Sequence, residues 1–143
     1  MLQGKLYSEI LEEFQKCETI KERIDLLTKY KHERFKNFLF LAFNPDIIFD
    51  VEIPKYRPAP EPAGLNFTYL HNEIDKLYRF IKNHPARPQG LTPDKQRQLL
   101  VVILESLYKD EAELLIKMMK KNLEVKFLTP NLILEVYPDI NLK

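Results

Sequence analysis

Apolar residues recur every three or four positions along most of the chain, which is the spacing of an α-helix that buries one face. The first stretch with this spacing contains Leu6, Ile10, Leu11 and Phe14. No stretch of useful length alternates apolar with polar residues, as a half-buried β-strand would. The pattern therefore predicts an all-α fold that begins with an amphipathic helix.

Capping signals predict where the second helix begins. Thr19 and Glu22 have the spacing of a capping box, in which each side chain accepts a hydrogen bond from a free backbone N–H at a helix start. Ile20, Ile24 and Leu27 then supply an apolar stripe at helical spacing. The sequence predicts a second amphipathic helix after Thr19.

Two further helices are predicted on either side of a break in the helical spacing. An aromatic-rich third helix runs from about His32 to Phe43 and ends at Asn44-Pro45, because the residue before a proline disfavours helical geometry. A fourth helix runs from about Thr68 to Lys82. The proline-rich stretch from His84 to Gly90 then prevents its continuation.

The break between those helices is rich in proline. Four prolines interleave with polar residues between about residues 53 and 65, which predicts an extended connection. It is interpreted either as a loop laid across the domain surface or as a peptide-like docking segment for a partner protein. Tyr56 and Arg57 would anchor such a partner, because aromatic and arginine side chains dominate binding energy at protein interfaces.

Threonine-proline pairs and apolar runs predict the remaining helices. Thr92-Pro93-Asp94 starts the fifth, because threonine caps, proline fits the first turn and aspartate favours the positive end of the helix dipole. The run from Leu99 to Leu104 is apolar all round, so we expect this helix to be central. The sixth helix is predicted to open at Asp110, with Glu113 at capping-box spacing. The seventh starts at Thr129-Pro130.

The length of 143 residues suits a single domain. We predict an all-α, single-domain bundle of about seven helices over residues 1–143, with a long Pro-rich connection at about residues 53–65. The formal net charge is only +1, so any contact with nucleic acid would need a local basic patch.

Cysteine content and hydropathy set the expected environment. Cys17 is the only cysteine, which excludes an internal disulfide and favours a reducing compartment. The first residues contain no apolar run of signal-peptide length, and no apolar run is long enough to span a bilayer. We therefore expect a cytoplasmic protein without membrane contact.

Motifs for catalysis are lacking. His32, His71 and His84 are widely spaced and have no paired Cys, Asp or His neighbours, so no metal site is expected. The sequence also lacks a Gly-rich phosphate loop and a nucleophile elbow. We expect no enzymatic activity, no cofactor and no metal.

The segment from Leu114 to Val125, continued to Tyr137-Pro138, resembles the end of the helical N-terminal DNA-binding domain of ATP-dependent DNA ligases, especially those of tailed phages. Leu41 to Pro45, followed by Phe49 and Ile53-Pro54, is similar to a second pattern of that domain. The Lys-x-Asp-Gly motif of the ligase reaction is absent. The resemblance therefore implies the DNA-binding fold without the enzyme.

A second resemblance suggests a biological setting. The Pro-rich run with Tyr56, Pro58 and Gly64 looks like a family of small uncharacterised proteins from large tailed phages. This resemblance implies that the protein acts in an infected bacterial cell.

The ligase domain grips duplex DNA across the minor groove, which implies by position a gripping turn at Asn122 to Leu128. Lys126 stands where the family usually has glycine, and a lysine would contact phosphate by charge. Several cations facing one strand strengthen binding, because each neutralised phosphate releases counterions. The candidate DNA-binding residues are Lys117, Lys120, Lys121, Asn122 and Lys126, with a second cluster of Lys82, Arg87, Lys95 and Arg97.

The alternative is a protein-interaction role without DNA binding. The protein would then be an adaptor for phage or host machinery, or a small structural component of the phage particle. Its contact surface would be the Pro-rich segment with Tyr56 and Arg57, or the apolar face of the first helix with Cys17. Double-stranded DNA and a phage or host protein are thus the two expected kinds of partner.

Overall fold

The structure, a computed structural model, describes residues 5–143, so the expectation about the chain's first residues lies largely outside it. The described residues form seven α-helices and one 3₁₀ helix, and they contain no β-strand. A single antiparallel bridge pairs Phe49 with Ile81. The predicted all-α class with about seven helices is confirmed.

The helices occur in two groups separated by the Pro-rich connection. The 3₁₀ helix, Ile74–Phe80, continues directly from the fourth α-helix. The α-helices are α1 (Tyr7–Lys16), α2 (Ile20–Lys29), α3 (Glu33–Phe43), α4 (Leu70–Glu73), α5 (Pro93–Ser106), α6 (Lys109–Met119) and α7 (Pro130–Val136).

The predicted threonine caps are confirmed. Thr19 accepts a hydrogen bond from the backbone N–H of Glu22, whose carboxylate in turn accepts one from Thr19 N–H, so the capping box is complete. Thr92 and Thr129 also cap α5 and α7 with their hydroxyl groups. Short-range rules therefore locate these three helix starts.

Two predicted helices differ from the observed ones. The predicted fourth helix is α-helical for only four residues, then becomes the 3₁₀ helix and ends at Phe80 rather than Lys82. The sixth begins at Lys109, and Glu113 takes no part in a capping box. Glu111, two residues earlier along the chain, instead accepts hydrogen bonds from the starts of two other helices, α1 and α4.

The central helix is α6 rather than α5, contrary to the prediction. α6 packs against α1, α3, α4 and α5. Within the apolar run of α5, Leu100 and Leu104 are fully buried, but Val102 is 64% exposed. An apolar run thus shows that a helix has a buried face without showing that all its faces are covered.

Glu111 joins three helices from the centre of the domain. Its side chain is fully buried, and its two carboxylate oxygens accept hydrogen bonds from Tyr7 N–H at 3.1 Å and Leu70 N–H at 3.0 Å. Tyr7 and Leu70 are the first residues of α1 and α4, where backbone N–H groups have no partner within their own helix. Burial raises the pKa of Glu111 to about 7.

The Pro-rich connection lies against the helices, as the loop interpretation expects. Ala59 is buried, and Ile53 and Tyr56 pack against the core. Arg57 N–H donates to a carboxylate oxygen of Glu105 in α5 at 2.7 Å. The first part of the segment, residues 53–59, is therefore a strap attached to the surface of the helices, whereas Leu65 near its end is 70% exposed.

Candidate nucleic-acid interface

The segment between α6 and α7, residues 120–128, is here called the α6–α7 turn, and it contains the predicted gripping residues. It begins with a Schellman motif, in which Lys121 N–H donates to Met118 O at 2.9 Å and Asn122 N–H to Lys117 O at 3.0 Å. Lys121 has a φ of 62°, in the left-handed region that usually favours glycine. The Schellman motif therefore ends α6 and fixes the direction in which the chain continues.

Three other helices hold the α6–α7 turn in place. The Lys121 ammonium donates to Leu41 O and, at 2.8 Å, to Asn44 O at the end of α3. Lys126 N–H donates to the side chain of Gln15 in α1 at 3.2 Å. The guanidinium of Arg23 in α2 lies 3.8 Å from the ring centre of Phe127. Contacts on several sides give the turn a defined shape before any partner binds.

Lys121 therefore faces inward, unlike a lysine that contacts phosphate. Its two carbonyl partners lie at the C-terminal end of α3, where the helix dipole favours a positive charge. Burial lowers the pKa of the Lys121 ammonium to about 8. The sequence alone assigned this lysine to the DNA-binding set, but its side chain caps a helix.

The other predicted residues of the first cluster lie at the surface of the turn. Lys120, Asn122 and Lys126 are exposed, and among residues 5–143 neither lysine forms an ion pair. Lys117 pairs with Glu124, with 3.4 Å between ammonium nitrogen and carboxylate oxygen. The cluster thus offers two available cations rather than four.

Two grooves lie beside Asn122. One, of 370 Å³, runs between the turn and α3 and is lined by Phe43, Asn122 and Lys126 among others. The other, of 430 Å³, lies against α6 and is lined by Lys117 and Lys120 together with Asn122. Asn122 therefore stands on a ridge with an available cation in the groove on each side.

The second predicted cluster is partly neutralised by acids. Arg87 pairs with Asp50 at 2.6 Å. Arg97 pairs with Glu52 at 3.3 Å and also with Asp94. These contacts attach the chain before the Pro-rich segment to the region that opens α5. Both arginines therefore have structural partners that a phosphate would have to displace.

Lys82 and Lys95 remain exposed within the second cluster. Neither lysine forms an ion pair with another part of the described chain. Lys82 follows the bridge between Phe49 and Ile81, whereas Lys95 lies in the first turn of α5. Neither Lys82 nor Lys95 lines the two grooves beside Asn122.

The predicted partner-binding residues differ in their availability. Tyr56 is half-buried, and burial raises the pKa of its hydroxyl, whereas the Arg57 side chain is exposed. The apolar face of α1 is unavailable, since Tyr7, Ile10, Leu11 and Phe14 are all buried. The proposed contact through that face is therefore wrong, because the core already covers it.

The described residues contain no group of three or more His, Cys, Asp or Glu side chains placed to hold a metal ion. Over the same part of the chain, no helix has both the length and the apolar character that crossing a bilayer requires. Cys17 is half-buried, and burial raises the pKa of its thiol.

A further groove, which the sequence pattern did not indicate, lies between α2 and α7. It has a volume of 560 Å³ and is lined mainly by Ile20, Arg23, Ile24, Phe127 and Leu132. Ile20 was expected to be buried with the apolar stripe of α2, but it is 64% exposed. The available signal was the Ile20-to-Ile24 spacing, which cannot show whether a neighbouring helix covers both residues.

Comparison with known proteins identifies the family without indicating an activity. A family described as "Family of unknown function (DUF6433)" matches residues 10–125, which run from within α1 to the α6–α7 turn. Neither the curated proteins nor the solved structures include a match. Since the matched region covers most of the sequence, the chain belongs to this family of unknown function.

Proposed function

We propose that the protein is a non-catalytic DNA-binding protein that contacts duplex phosphates through the α6–α7 turn. The resemblance to the ligase N-terminal domain motivates this assignment, and the resemblance to small tailed-phage proteins suggests an infected bacterial cell as its setting. The observation that carries the proposal is the placement of Lys120 and Lys126 in a turn held by three other helices.

The fixed shape of the turn supports binding for an entropic reason. A loop that orders only on binding loses conformational freedom, and that loss weakens the complex. Here Lys121, Gln15 and Arg23 already hold the turn. Lys120 and Lys126 can therefore meet phosphates without ordering the backbone that bears them.

The number of available cations limits the expected affinity. Each lysine that neutralises a phosphate releases condensed counterions, which gives a salt dependence of about −0.9 per contact on logarithmic axes. Two available lysines predict a slope of about −2. Glu124 and Glu113 line the groove that contains Lys120, and their charges weaken the field there. We expect weak, salt-sensitive binding without sequence preference.

The first test reverses the two available charges. Lys120→Glu with Lys126→Glu should weaken duplex binding at least tenfold, because two attractions become repulsions. Fluorescence anisotropy of a labelled duplex at low and near-physiological salt measures this change. The matched control, Lys55→Glu with Lys109→Glu, changes net charge equally at two exposed lysines outside both clusters.

The comparison of the two variants separates a site from a general charge effect. Equal loss of affinity in both variants would indicate non-specific attraction. An unchanged affinity in a folded Lys120→Glu, Lys126→Glu variant would remove the assigned site. Absence of duplex binding by the unaltered protein, even at low salt, would overturn the proposed function.

Protein interaction is the second candidate, and a specific surface favours it. Phe67 is 88% exposed and Val102 is 64% exposed, and both line a groove of 350 Å³ between the start of α4 and α5. Exposed apolar side chains that share a groove are typical of contact surfaces. This surface would serve an adaptor or a structural component that binds other subunits.

A further inference from the structure

The groove between α2 and α7, termed here the α2–α7 groove, combines apolar walls with an incompletely paired cation. Ile20, Ile24 and Leu132 form its apolar lining. Arg23 lies in the same groove and is 9% exposed. Within residues 5–143 no carboxylate lies within ion-pair distance of the Arg23 guanidinium.

The hydrogen bonds of Arg23 leave a donor unused. Its Nη2 donates to Cys17 O at 3.1 Å. Its buried Nε has no hydrogen-bond partner among the described residues. A buried N–H without an acceptor costs free energy, so the guanidinium is incompletely satisfied by the described residues. A negatively charged occupant would balance the guanidinium charge.

Phe127 supplies a flat surface in the same groove. The Arg23 guanidinium lies 3.8 Å from the centre of the Phe127 ring, which fixes the ring from one side. The residue is nevertheless 52% exposed. Its φ of 71° is unfavourable for a bulky side chain, so the fold holds this ring at the surface against a local backbone preference.

The occupant that matches these features is a nucleotide. Its base is flat and carries hydrogen-bond acceptors, and its phosphate is negative. The groove also adjoins the proposed phosphate-binding residues in the sequence, since Phe127 directly follows Lys126. A helix from a protein partner would also cover the apolar walls, but it would need an acidic side chain facing Arg23 to balance the guanidinium charge.

We propose that the α2–α7 groove binds an unpaired nucleotide of DNA, whose base stacks on Phe127 while the adjoining strand passes Lys126. This inference rests on the proposed DNA-binding function and specifies its substrate class as DNA with unstacked bases, such as gapped duplex or single strands. Glu135 also lines the groove, and its charge requires the phosphates to lie away from it.

The test compares gapped and intact duplexes of equal length by fluorescence anisotropy. The protein should bind the gapped duplex more tightly. Phe127→Leu keeps an apolar residue but removes the flat ring, and should weaken gapped-duplex binding about 5- to 150-fold, the range for loss of one stacked base. Binding to the intact duplex should weaken less, because Phe127→Leu removes only one of the three contacts that hold the α6–α7 turn. Phe127→Tyr restores a ring and should retain the preference for the gap.

A direct readout of stacking is available because the sequence contains no tryptophan. Phe127→Trp introduces one fluorophore at the stacking position. Its emission should fall when gapped DNA saturates the protein, because a base stacked on the indole quenches it. Circular dichroism of each variant checks that the helices are retained.

The outcomes distinguish this inference from the function on which it depends. Intact-duplex binding that requires Lys120 and Lys126, without any effect of Phe127→Leu on gapped DNA, would overturn the nucleotide site and leave the proposed function standing. Unchanged Trp emission at saturation would also overturn it. Loss of self-association in Phe127→Leu would assign the groove to a second copy of the chain. No binding to any DNA would overturn both proposals.

Discussion

Lys121 shows how one side chain offsets the conformational cost of its own backbone. It occupies the left-handed position of a Schellman motif, where a residue other than glycine loses roughly 1 kcal/mol. Its ammonium contacts Leu41 O and Asn44 O at the end of α3. The lysine therefore connects the end of α6 to the end of α3, and glycine could not make that connection.

Two substitutions of Lys121 separate the cost of the backbone conformation from the contribution of the ammonium. Lys121→Met retains the unfavourable φ and removes the ammonium, so it should destabilise the fold by about 1–3 kcal/mol through the lost hydrogen bonds to Leu41 O and Asn44 O. Asn44 O keeps a second donor, Ile47 N–H. Lys121→Gly also removes the ammonium but relieves the backbone, so it should be about 1 kcal/mol more stable than the methionine variant. Urea unfolding followed by circular dichroism measures both differences.

The unaltered protein provides the decisive comparison. A glycine variant more stable than the unaltered protein would show that the ammonium contacts contribute less than the backbone conformation costs. The sequence could not reveal the contacts of the Lys121 ammonium, because the carbonyl groups that it binds precede it by about eighty residues. A lysine near a helix end has the same local pattern whether it faces solvent or the core.

Among the helix starts, those of α1 and α4 share one buried acceptor, the Glu111 carboxylate. Leu6 and Tyr69, the residues that precede α1 and α4, do not cap these helices with their side chains. The Glu111 carboxylate accepts from the first N–H of each helix instead. One buried acid thus joins three helices, so the free energy of unfolding should depend on its protonation.

Stability should fall as pH rises through neutrality because of Glu111. Burial raises the pKa of this carboxyl from its ordinary value of 4.5 to about 7. The folded protein therefore holds the proton more tightly than the unfolded chain does. Its contribution to stability is fully present below pH 4.5 and is lost as pH rises through about 7. Over this window the loss amounts to about 3 kcal/mol at most.

Glu111→Gln isolates this effect, since the amide does not titrate over this range and retains one acceptor oxygen. The free energy of unfolding, measured at several pH values from 4 to 8, should depend on pH less steeply in the variant. Parallel curves for the two proteins would contradict the assignment. The variant should also lose protection of Tyr7 N–H or Leu70 N–H in hydrogen exchange, because one amide oxygen cannot replace two carboxylate oxygens.

Helix starts were predictable where their determinants are local. Thr19, Thr92 and Thr129 each bind an N–H within three residues, so the sequence contains the whole interaction. The starts of α1 and α4 depend on Glu111, which is distant along the chain from both. The centrality of α6 likewise depends on packing among helices, which the apolar run in α5 could not reveal.

For the whole molecule, nearly balanced charge leaves few cations available to a partner. Arg87 and Arg97 hold the segment before the Pro-rich strap, and Lys117 is paired across the α6–α7 turn. Sequence patterns could identify basic residues but not their ion-pair partners, which come from other elements. The candidate site was therefore predictable in its location, whereas the availability of each cation was not.

The groove between α4 and α5 leads to a prediction about assembly. If the protein acts as a structural component, its copies should associate through Phe67 and Val102, because burial of exposed apolar area favours association by about 25 cal/mol per Å². Phe67→Ser with Val102→Ser should then shift sedimentation velocity profiles from oligomer to monomer. Lys55→Ser with Lys109→Ser, at exposed residues outside this groove, is the control.

The result also bears on the choice between the two functions. Because Phe67 and Val102 line a groove that includes neither the α6–α7 turn nor Phe127, their replacement should leave DNA affinity unchanged if the phosphate contacts act as proposed. A monomeric unaltered protein at high concentration would argue against assembly through this surface. Loss of both the oligomers and the DNA affinity would instead indicate that several copies must bind one duplex together. Each copy alone would then offer too few phosphate contacts, because it has few available lysines.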